Sequence, residues 1–461
     1  MTNGYFDEAD PARLLVEYPI GEAFLAGPAR LDAARLRALQ ERRFSAVMRR
    51  GWQIPFYRRL WRNAGIAPDD IRTLDDLARL PTFSKADLMA SVEAHPPLGD
   101  FHGMDGGADR RSVVMHTTSG TTGAPQPLFF GAWDREAQNA LLARAYRLQG
   151  MSEQDIVHSV YGFGMVNGGH YVREAILHFV GALLLPAGTG LETRSEQQVA
   201  LMRRFGVTAI VGFADYILKL AAVAREQGLE PGRDIPVRMI SGHLSTDGHE
   251  AMARAWPGAE VFDWYGVGDT GIIAAEGPDH DGMYIWEDAH LVEILDPDRL
   301  VPLGEGERGN ICVTVLFKNT IYPVIRFNTN DVSSIVPGRG GIGINFRRLA
   351  GFQGRSDNMV KLRGVNVYPT GIGAILGDID ELNGEYVCRW IRRHGQEALI
   401  VMAETRTSGL EDSAPLLRRT SEVLRQRLGV GVEVELTPPG GTARLSQLES
   451  RQKPIRLIDE R

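Results

Sequence analysis

The sequence predicts an α/β protein with a large N-terminal domain of mostly parallel sheets and helices, followed by a small α+β domain. From about residue 113 to 265, apolar or β-branched runs alternate with helical segments, which is typical of a parallel sheet covered on both faces. From 283 to 336, strand-like runs are joined by Gly, Pro and Asp turns, which indicates an antiparallel β-subdomain. After Gly354 strands and helices start afresh. We therefore expect domains at 1–356 and 357–461.

The elements within this frame follow from their local patterns. Residues 29–93 are predicted to be helical, because apolar residues recur at helical spacing and Asp70, Thr73 and Ser84 stand where helices begin. The strands of the parallel sheet are expected in the runs SVVMHTT, DIVHSVYGF, GALLLPAG, VTAIVGF, VRMISG and AEVFDWYG. The small domain should contain a strand pair around MVKLRGVNVYP, a helix, a second strand pair, a helix near 413–428 and a last strand VEVEL.

The composition is that of an ordinary globular protein, with 461 residues, of which 43% are hydrophobic and 24% charged. The net charge of −7 argues against a dedicated nucleic-acid binder, which needs a basic surface. Cys312 and Cys388, the two cysteines, lie in no zinc-type spacing, so neither a metal cage nor a disulfide framework is expected. The polar N-terminus and the short apolar runs predict neither a signal peptide nor a membrane span. We expect a cytoplasmic enzyme.

A loop rich in hydroxyls and glycines is the most informative segment. It runs TTSGTTGAP over residues 117–125, between a predicted strand and a predicted helix. Glycines let the backbone approach a phosphate and Ser/Thr hydroxyls donate further hydrogen bonds, so the composition suits a phosphate-binding loop. The segment lacks the GK[ST] end of a Walker A loop. A plain Ser/Gly loop remains the alternative at this point.

Four further segments have residue types that suit a nucleotide site. DWYGVGD (263–269) places an aromatic ring beside glycine at a strand end, and its last residue, Asp269, could hold magnesium. PVIRFNTND (323–331) ends in an aspartate that could accept hydrogen bonds from ribose hydroxyls. GRSDNMVKLRGVNVYP (354–369) and SRQKPIRLID (450–459) carry cations near the expected domain boundary and the chain end. Taken alone, each segment is more often an ordinary turn or a solvated basic stretch.

These five segments, in this order, resemble the adenylate-forming superfamily of acyl-CoA synthetases, luciferases and peptide-synthetase adenylation domains. Within it the chain is most similar to phenylacetate–CoA ligases, through PFYRRLWRNAGIAPDDIRTLDDLARLPTFSKADL (55–88), YGFGMVNGG (161–169) and RGVNVYP (363–369). The resemblance extends from about residue 35 to the end. It implies activation of a carboxylic acid with ATP and Mg²⁺ to an acyl-adenylate, followed by transfer of the acyl group to coenzyme A.

The resemblance also implies roles for residues of this sequence. The hydroxyl-rich loop would cradle the β- and γ-phosphates, and Lys453 would bridge the substrate carboxylate and the α-phosphate. Asp269 stands where the family has a glutamate near magnesium. Asp331, helped by Arg355, would hold the ribose, and Tyr265 would stack on adenine. The residues implied to bind ATP or AMP are Thr118, Ser119, Gly120, Thr122, Gly123, Ser241, Gly242, Asp263, Trp264, Tyr265, Gly266, Asp331 and Arg355, and those implied to be catalytic are Lys453, Asp269 and Thr121.

The small domain is implied to rotate between the two half-reactions, with Asp357 as its hinge. In the first pose Lys453 would reach the site, and in the second the strand with Lys361, Arg363 and Gly364 would line the channel for coenzyme A. The acid pocket is implied at an apolar segment that suits an aryl or arylacetic acid and comprises Tyr161, Phe163, Gly164 and Met165. The competing interpretation is that the two aromatic residues of this segment are strand-end core.

The sequence departs from the family pattern at three places. Ala124 replaces the usual loop lysine, Asn328 and Asn330 replace the usual arginines or glycine, and Arg451 and Gln452 stand in place of an acid–glycine pair. Two other functions therefore stay open. One is an adenylating ligase whose acceptor is an amine or a carrier-protein thiol, and the other is a non-catalytic nucleotide-binding paralogue. A homodimer is implied by family similarity alone.

Overall fold

The computed structural model describes residues 4–104, 112–118, 125–244, 248–357, 360–363, 365–393, 396–409, 413–447 and 454–461, with the backbone alone at Lys361, Asn366, Ala374 and Gln396. Mixed layers of helices and sheets make up the larger, N-terminal part of the chain, and a smaller α+β unit lies toward the C-terminus. The predicted fold class is therefore confirmed. Among the described residues, no helix is both long enough and apolar enough to cross a bilayer.

Helices form the first layer, and the sequence predicts those within residues 29–93 but not the three before residue 28. The expected helix start at Asp70 is wrong, because its side chain closes a turn by accepting the backbone N–H of Ala67 at 2.7 Å. The start of the longest is fixed by Asp32, whose side chain accepts a hydrogen bond from the backbone N–H of Arg35 at 2.8 Å, and Ser84 and Asp87 form a capping box at another start. The apolar faces of these helices pack into the main core. They are α1 (Tyr5–Ala9), α2 (Pro11–Glu17), α3 (Gly21–Ala26), α4 (Ala33–Gly51), α5 (Pro55–Asn63) and α6 (Lys85–Ala94), with 3₁₀ turns at Pro28–Arg30 and Leu74–Arg79.

The first predicted strand of the parallel sheet belongs to a separate hairpin instead. β1 (Val113–Thr117) pairs antiparallel with β2 (Pro127–Gly131), and among the described residues the two strands form a sheet of their own. The prediction that SVVMHTT joins the parallel sheet is therefore wrong. A strand-forming run does not indicate which strand it will pair with, and here the next strand, β2, returns antiparallel to β1. The hairpin holds the two ends of the predicted phosphate loop side by side.

The remaining strands of the N-terminal part follow the predicted runs, except that Gly271–Glu276, Arg348–Leu349 and most of Phe327–Ser333 lie outside those runs. They are β3 (Ile156–Ser159), β4 (Leu183–Pro186), β5 (Ala209–Phe213), β6 (Met239–His243), β7 (Glu260–Val267), β8 (Gly271–Glu276), β9 (Met283–Ile285), β10 (His290–Leu295), β11 (Gly309–Val315), β12 (Phe327–Ser333), β13 (Ile335–Val336) and β14 (Arg348–Leu349). The helices between them are α7 (Ala132–Leu148), α8 (Asn167–Ala175), α9 (Ser195–Phe205), α10 (Ala214–Glu226) and α11 (Gly248–Ala255), with a π-turn at Ile176–Val180.

Nine of the described strands form the central sheet, in the order β4-β3-β5-β6-β7-β8-β9-β14-β13. The half from β4 to β7 is parallel and the half from β7 onward is antiparallel. At Gly242 in β6 a Cβ would overlap the carbonyl oxygen of Gly212 in β5, so close approach of these strands requires glycine there. The change of direction places the segment DWYGVGD where the parallel half ends, at an edge where ligands usually bind.

The predicted β-subdomain is confirmed for two of its four runs, HLVEILD and NICVTVLF, which contain β10 and β11. It is wrong for MYIWED, and VSSIV is divided, since its first two residues end β12 and its last two form β13. β10, β11 and β12 form an antiparallel sheet among the described residues. The run MYIWED contains β9 and the end of VSSIV contains β13, and both join the central sheet through β14 and β8. Alternation in the sequence shows that these segments are extended, but the short strand at Arg348–Leu349, which draws β9 and β13 together, is too brief to leave a pattern.

The C-terminal unit has the predicted elements and one more strand. A hairpin of β15 (Val360–Leu362) and β16 (Val365–Val367) precedes a 3₁₀ turn at Pro369–Gly371 and α12 (Ile372–Gly377). The described strands β17 (Leu382–Arg393), β18 (Gln396–Thr405), β19 (Glu433–Thr437) and β20 (Leu457–Asp459) form a sheet in the order β19-β18-β17-β20, packed with α13 (Ala414–Leu428) and α14 (Ala443–Ser446). The expectation that VEVEL is the last strand is wrong, because β20 pairs parallel with β17.

Candidate active site

The base of the predicted phosphate loop is closed by two hydrogen bonds. The backbone N–H of Thr118 donates to the carbonyl of Gln126 at 3.0 Å, and the backbone N–H of Gln126 donates to the Thr118 hydroxyl at 3.1 Å. Just before the loop, the backbone N–H of Thr117 donates to the carbonyl of Met165 at 2.8 Å. The loop tip lies outside the described residues and contains the predicted Ser119, Gly120, Thr121, Thr122 and Gly123.

Asp269 is buried beside this loop base and is held from three directions. Its Oδ1 accepts hydrogen bonds from Gln126 Nε2 at 2.6 Å and from Tyr322 Oη at 2.7 Å, and its carbonyl accepts one from Lys318 Nζ at 2.8 Å. Burial raises the pKa of Asp269, while the Tyr322 hydrogen bond and the Lys318 charge oppose that shift. The other carboxylate oxygen, Oδ2, takes part in none of these three hydrogen bonds, so it fits the hard-oxygen chemistry of a magnesium ion.

Lys318 is a functional candidate that sequence reasoning missed. Its side chain is fully buried, and its ammonium lies 4.3 Å from the ring centroid of Tyr322 and 4.9 Å from that of Phe130. Desolvation lowers the pKa of Lys318 to about 8, although the nearby carboxylates of Asp134 and Asp269 favour its charged form. A single lysine after an apolar strand is usually a solvated residue, so no sequence signal marked it.

The predicted ribose and adenine residues converge, although they are far apart in sequence. Tyr265 Oη donates to Asp331 Oδ2 at 2.8 Å, and Arg355 Nη1 donates to Asp331 Oδ1 at 2.8 Å. Arg355 also clamps the predicted hinge residue, with Nε 2.7 Å from Asp357 Oδ1 and Nη2 2.6 Å from Asp357 Oδ2. The paired carboxylates raise the pKa of Arg355, so its charge is permanent.

The other residues predicted around adenine serve mainly in the scaffold. Ser241 is buried and its hydroxyl donates to Gln149 Oε1 at 2.6 Å. Asp263 Oδ1 accepts the backbone N–H groups of Leu244 at 3.0 Å and Trp264 at 2.8 Å, and burial raises the pKa of that carboxyl well above its usual range. Gly266 packs against the backbone of β8. These positions fix the strand ends on which Tyr265 stands.

The segment predicted to line the acid pocket lies beside the loop base, because Met165 carries the carbonyl that Thr117 contacts. Tyr161 is buried, and its ring centroid lies 5.1 Å from Phe213 and 6.4 Å from Trp264. The Tyr161 hydroxyl and the Trp264 indole N–H have no hydrogen-bond partner in the described part of the chain. Two polar residues hold the rest of the segment: the backbone N–H of Phe163 donates to Glu192 and the Gly164 carbonyl contacts His170.

The predicted C-terminal residues are described in part. Lys453 and Gly364 lie outside the described residues, as does the side chain of Lys361, while Arg363 adopts φ 50° in the turn between β15 and β16. Just beyond Lys453 the chain is anchored, because the backbone N–H of Ile455 donates to the Ser446 carbonyl at 2.8 Å.

Arg456 ties the C-terminal unit to the larger part of the chain. Its Nη1 donates to Glu385 Oε2 at 2.9 Å and to the Tyr386 carbonyl at 2.7 Å. Its Nη2 lies 3.5 Å from Oδ2 of Asp215, which stands in the first turn of α10. The ion pair therefore joins a residue three positions beyond Lys453 to the N-terminal part.

Known proteins resemble this chain over nearly its whole length. Residues 364–461 match the family described as AMP-binding enzyme C-terminal domain. A phenylacetate–coenzyme A ligase of Thermus thermophilus is 30% identical over 445 residues, which cover 90% of this chain and 95% of the relative. The chain belongs to the phenylacetate–CoA ligase family. A phenylacetate–coenzyme A ligase of Escherichia coli is 29% identical over 92% of this chain and 95% of its own length.

Two solved structures of one ligase resemble this member of the phenylacetate–CoA ligase family to different degrees. A 2-hydroxyisobutyryl-CoA ligase in the postadenylation state matches with a TM-score of 0.84, at 27% identity over 94% of this chain and 91% of its own. The same ligase in the thioesterification state matches with a TM-score of 0.68, at 28% identity over 94% and 91%. The arrangement of this chain is therefore more similar to that of the first structure than to that of the second.

Proposed function

We propose that this chain converts a carboxylic acid of the aryl or arylacetic type to its coenzyme A thioester in two steps. In the first, the carboxylate attacks the α-phosphate of ATP, which forms an acyl-adenylate and releases pyrophosphate. In the second, the thiolate of coenzyme A attacks the acyl carbon, which forms the thioester and releases AMP. The chain is an AMP-forming acid–thiol ligase, in line with its membership of the phenylacetate–CoA ligase family.

The observation that carries this proposal is the hydrogen bond between Gln126 and Asp269. It brings a buried carboxylate to the base of a loop whose hydroxyls and glycines suit a triphosphate. The Asp269 carboxylate would hold Mg²⁺, whose charge would offset the repulsion between substrate carboxylate and phosphate. Lys453 would supply the second positive charge from the C-terminal unit.

The nucleoside would lie between Tyr265 and Asp331. The hydroxyl of Tyr265 is committed to Asp331, so its ring is held in one orientation and offers a face for adenine. Asp331 is fixed on its other oxygen by Arg355, and its carboxylate would accept hydrogen bonds from the ribose hydroxyls. The three residues thus form a preorganised nucleoside site.

The acid would bind beside Tyr161. The aromatic rings of Tyr161, Phe213 and Trp264 favour an aryl group over an aliphatic chain, because flat rings pack against one another edge to face. The hydroxyl of Tyr161 and the indole N–H of Trp264, which have no hydrogen-bond partner among the described residues, favour an acid that carries a hydrogen-bond acceptor. We expect the enzyme to act in the cytoplasm, where its buried free thiols, Cys312 and Cys388, stay reduced.

Acid-dependent ATP–pyrophosphate exchange with Mg²⁺, measured across aryl, arylacetic and aliphatic acids, tests the proposal. Active acids are then incubated with and without coenzyme A. We expect exchange with an aryl or arylacetic acid and formation of its thioester. Exchange without a thioester would point to an amine or a carrier-protein thiol as the acceptor. Binding of ATP without any exchange would favour a non-catalytic paralogue.

We also propose that the C-terminal unit begins at Asp357 and rotates there between the half-reactions. Support comes from Arg355, which holds Asp357 and Asp331 at once and so links the hinge to the ribose site. In the second pose the hairpin with Lys361, Arg363 and Gly364 would line the channel for coenzyme A. The ion pair between Arg456 and Asp215 would belong to the first pose only.

The variant Asp215→Asn should slow adenylation and spare thioester formation. The change weakens an ion pair that holds the first pose, but Asp215 is 43% exposed, so solvent screens the interaction. We expect a loss of at most about 1 kcal/mol, or up to about fivefold in the exchange rate. The rate of thioester formation from supplied acyl-adenylate should be unchanged or higher. Asp234→Asn, which breaks an exposed pair within the larger part, is the control, and equal effects of both variants would refute the prediction.

A further inference from the structure

We propose that His249, Glu276 and His280 form a site for a borderline transition-metal dication such as Zn²⁺. The three come from α11, the end of β8 and the turn after it, and their ligand atoms lie within 4.8 Å of one another. His249 Nε2 is 2.8 Å and His280 Nδ1 is 3.9 Å from Glu276 Oε2. Ligands of one tetrahedral zinc ion are separated by roughly 3.3 Å, as Zn–N and Zn–O bonds near 2 Å require, so small side-chain shifts suffice.

The orientation of His280 supports ligation over a simple ion pair. Its ring stacks on Phe262 with centroids 5.0 Å apart and an interplanar angle of 17°. Its other nitrogen, Nε2, lies 3.4 Å from Glu260 Oε1. A carboxylate on the second ring nitrogen is the partner that metal-binding histidines usually have, because it fixes the tautomer and directs the opposite lone pair at the ion. Here that lone pair is on Nδ1, which faces Glu276.

The backbone keeps this arrangement in place. His280 adopts φ 47°, in the left-handed region that an L-residue enters at a cost, and its N–H donates to the Gly277 carbonyl at 3.1 Å. Glu276 Oε2 also accepts the backbone N–H of Asp263 at 2.7 Å. The carboxylate is therefore fixed between two strands before any ion arrives, which is the preorganisation that a binding site needs.

The donor set indicates the class of ion. Two imidazoles and one carboxylate suit Zn²⁺, Co²⁺ or Ni²⁺, while Mg²⁺ and Ca²⁺ prefer oxygen ligands throughout. Glu276 is buried, but side chains of His249 and His280 are 33% and 38% exposed, so an ion can enter and a water can complete the coordination. Through Glu276 the ion would stabilise the strand that carries Asp263. The metal site is separate from the atoms whose bonds the ligase forms and breaks.

Metal binding by the full-length protein tests this proposal without reference to turnover. The protein is treated with a chelator, and Zn²⁺ and Co²⁺ are titrated in turn, with calorimetry for the first and visible absorption for the second. We expect one saturable site per chain. His249→Ala and His280→Ala should each lower the affinity at least tenfold, and Glu260→Gln should lower it by roughly 10- to 100-fold.

A matched control is available at His178, which pairs with Glu136 at 3.0 Å and is 35% exposed but has no second histidine facing that carboxylate among the described residues. His178→Ala should bind the metal as the wild type does. Zn²⁺ should raise the unfolding temperature of the wild type and of His178→Ala, and leave that of His249→Ala and His280→Ala unchanged. Absence of saturable uptake by the wild type, or equal uptake by all variants, would overturn the proposal.

Discussion

Replacing Lys453 by alanine is expected to abolish acid-dependent ATP–pyrophosphate exchange and to spare thioester formation from supplied acyl-adenylate. The ammonium offsets the negative charge that develops when a carboxylate attacks the α-phosphate. In the second step the thiolate attacks the acyl carbon and not a phosphate, so this charge does not develop there. Loss of one such contact should cost about 3–4 kcal/mol, or roughly 10²- to 10³-fold in the exchange rate. Both half-reactions are measured on the same preparation, the first by exchange and the second by release of AMP.

Arg451→Ala is the matched control for this experiment, because it removes a neighbouring cation from the same segment. It should keep at least half of the wild-type exchange rate, since the anchoring bond of Ile455 and the ion pairs of Arg456 lie beyond both positions. An equal loss in both half-reactions of Lys453→Ala would refute the assigned role. So would a loss in Arg451→Ala as large as that in Lys453→Ala.

The second large effect is expected from Lys318→Met. The variant removes the hydrogen bond to the Asp269 carbonyl and the charge that favours an ionised Asp269. We expect kcat/KM for MgATP in the exchange reaction to fall by about 10²-fold, or about 2.7 kcal/mol, because a buried acceptor is left unpaired beside the magnesium ligand. Thioester formation from acyl-adenylate should change little. Titration of Mg²⁺ should show a raised half-saturating concentration in the variant.

The pH dependence of the exchange rate tests the role of the Lys318 charge independently. Desolvation lowers the pKa of Lys318 to about 8, so its charge is present below that pH and is lost as the pH rises through it. Three groups face the ammonium: Asp134 from α7, Asp269 from the turn after β7, and Tyr322, whose pKa burial raises well above its usual range. Wild-type exchange should therefore fall as the pH rises through about 8, and Lys318→Met should lack this decline.

A second variant tests whether Lys318→Met loses activity only because it is less stable. Burial raises the pKa of Asp134 to about 6, and the Lys318 charge opposes that shift, so removal of the lysine alone leaves a buried carboxylate uncompensated. The double variant Asp134→Asn/Lys318→Met removes both charges and should regain stability without regaining exchange. Lys219→Met, on α10, is the neutral control. Persistence of the alkaline decline in Lys318→Met, or an equal loss of both half-reactions, would contradict the role.

Local patterns predicted the elements and the order of the chemical segments well, because hydrophobic periodicity and turn residues act over a few positions. Such patterns predict the strands β3 to β7 and the helices α7, α9 and α10, but not α8 and α11. They do not predict strand partners, since pairing depends on contacts between distant segments. β1 therefore turned out to pair with β2 outside the central sheet, and β9 and β13 joined it through the short β14.

The sequence by itself determined the α/β class and the segments that carry Tyr265, Asp269, Asp331 and Arg355, because residue types and spacing persist in a linear chain. Only the tertiary structure decided which residues meet. Lys318 lies under Asp269, Arg456 reaches Asp215, and the histidines at 249 and 280 converge on Glu276. Each of these contacts joins segments whose spacing follows no motif. Burial and direction, which give these side chains their chemistry, arise only when the sheets and helices pack.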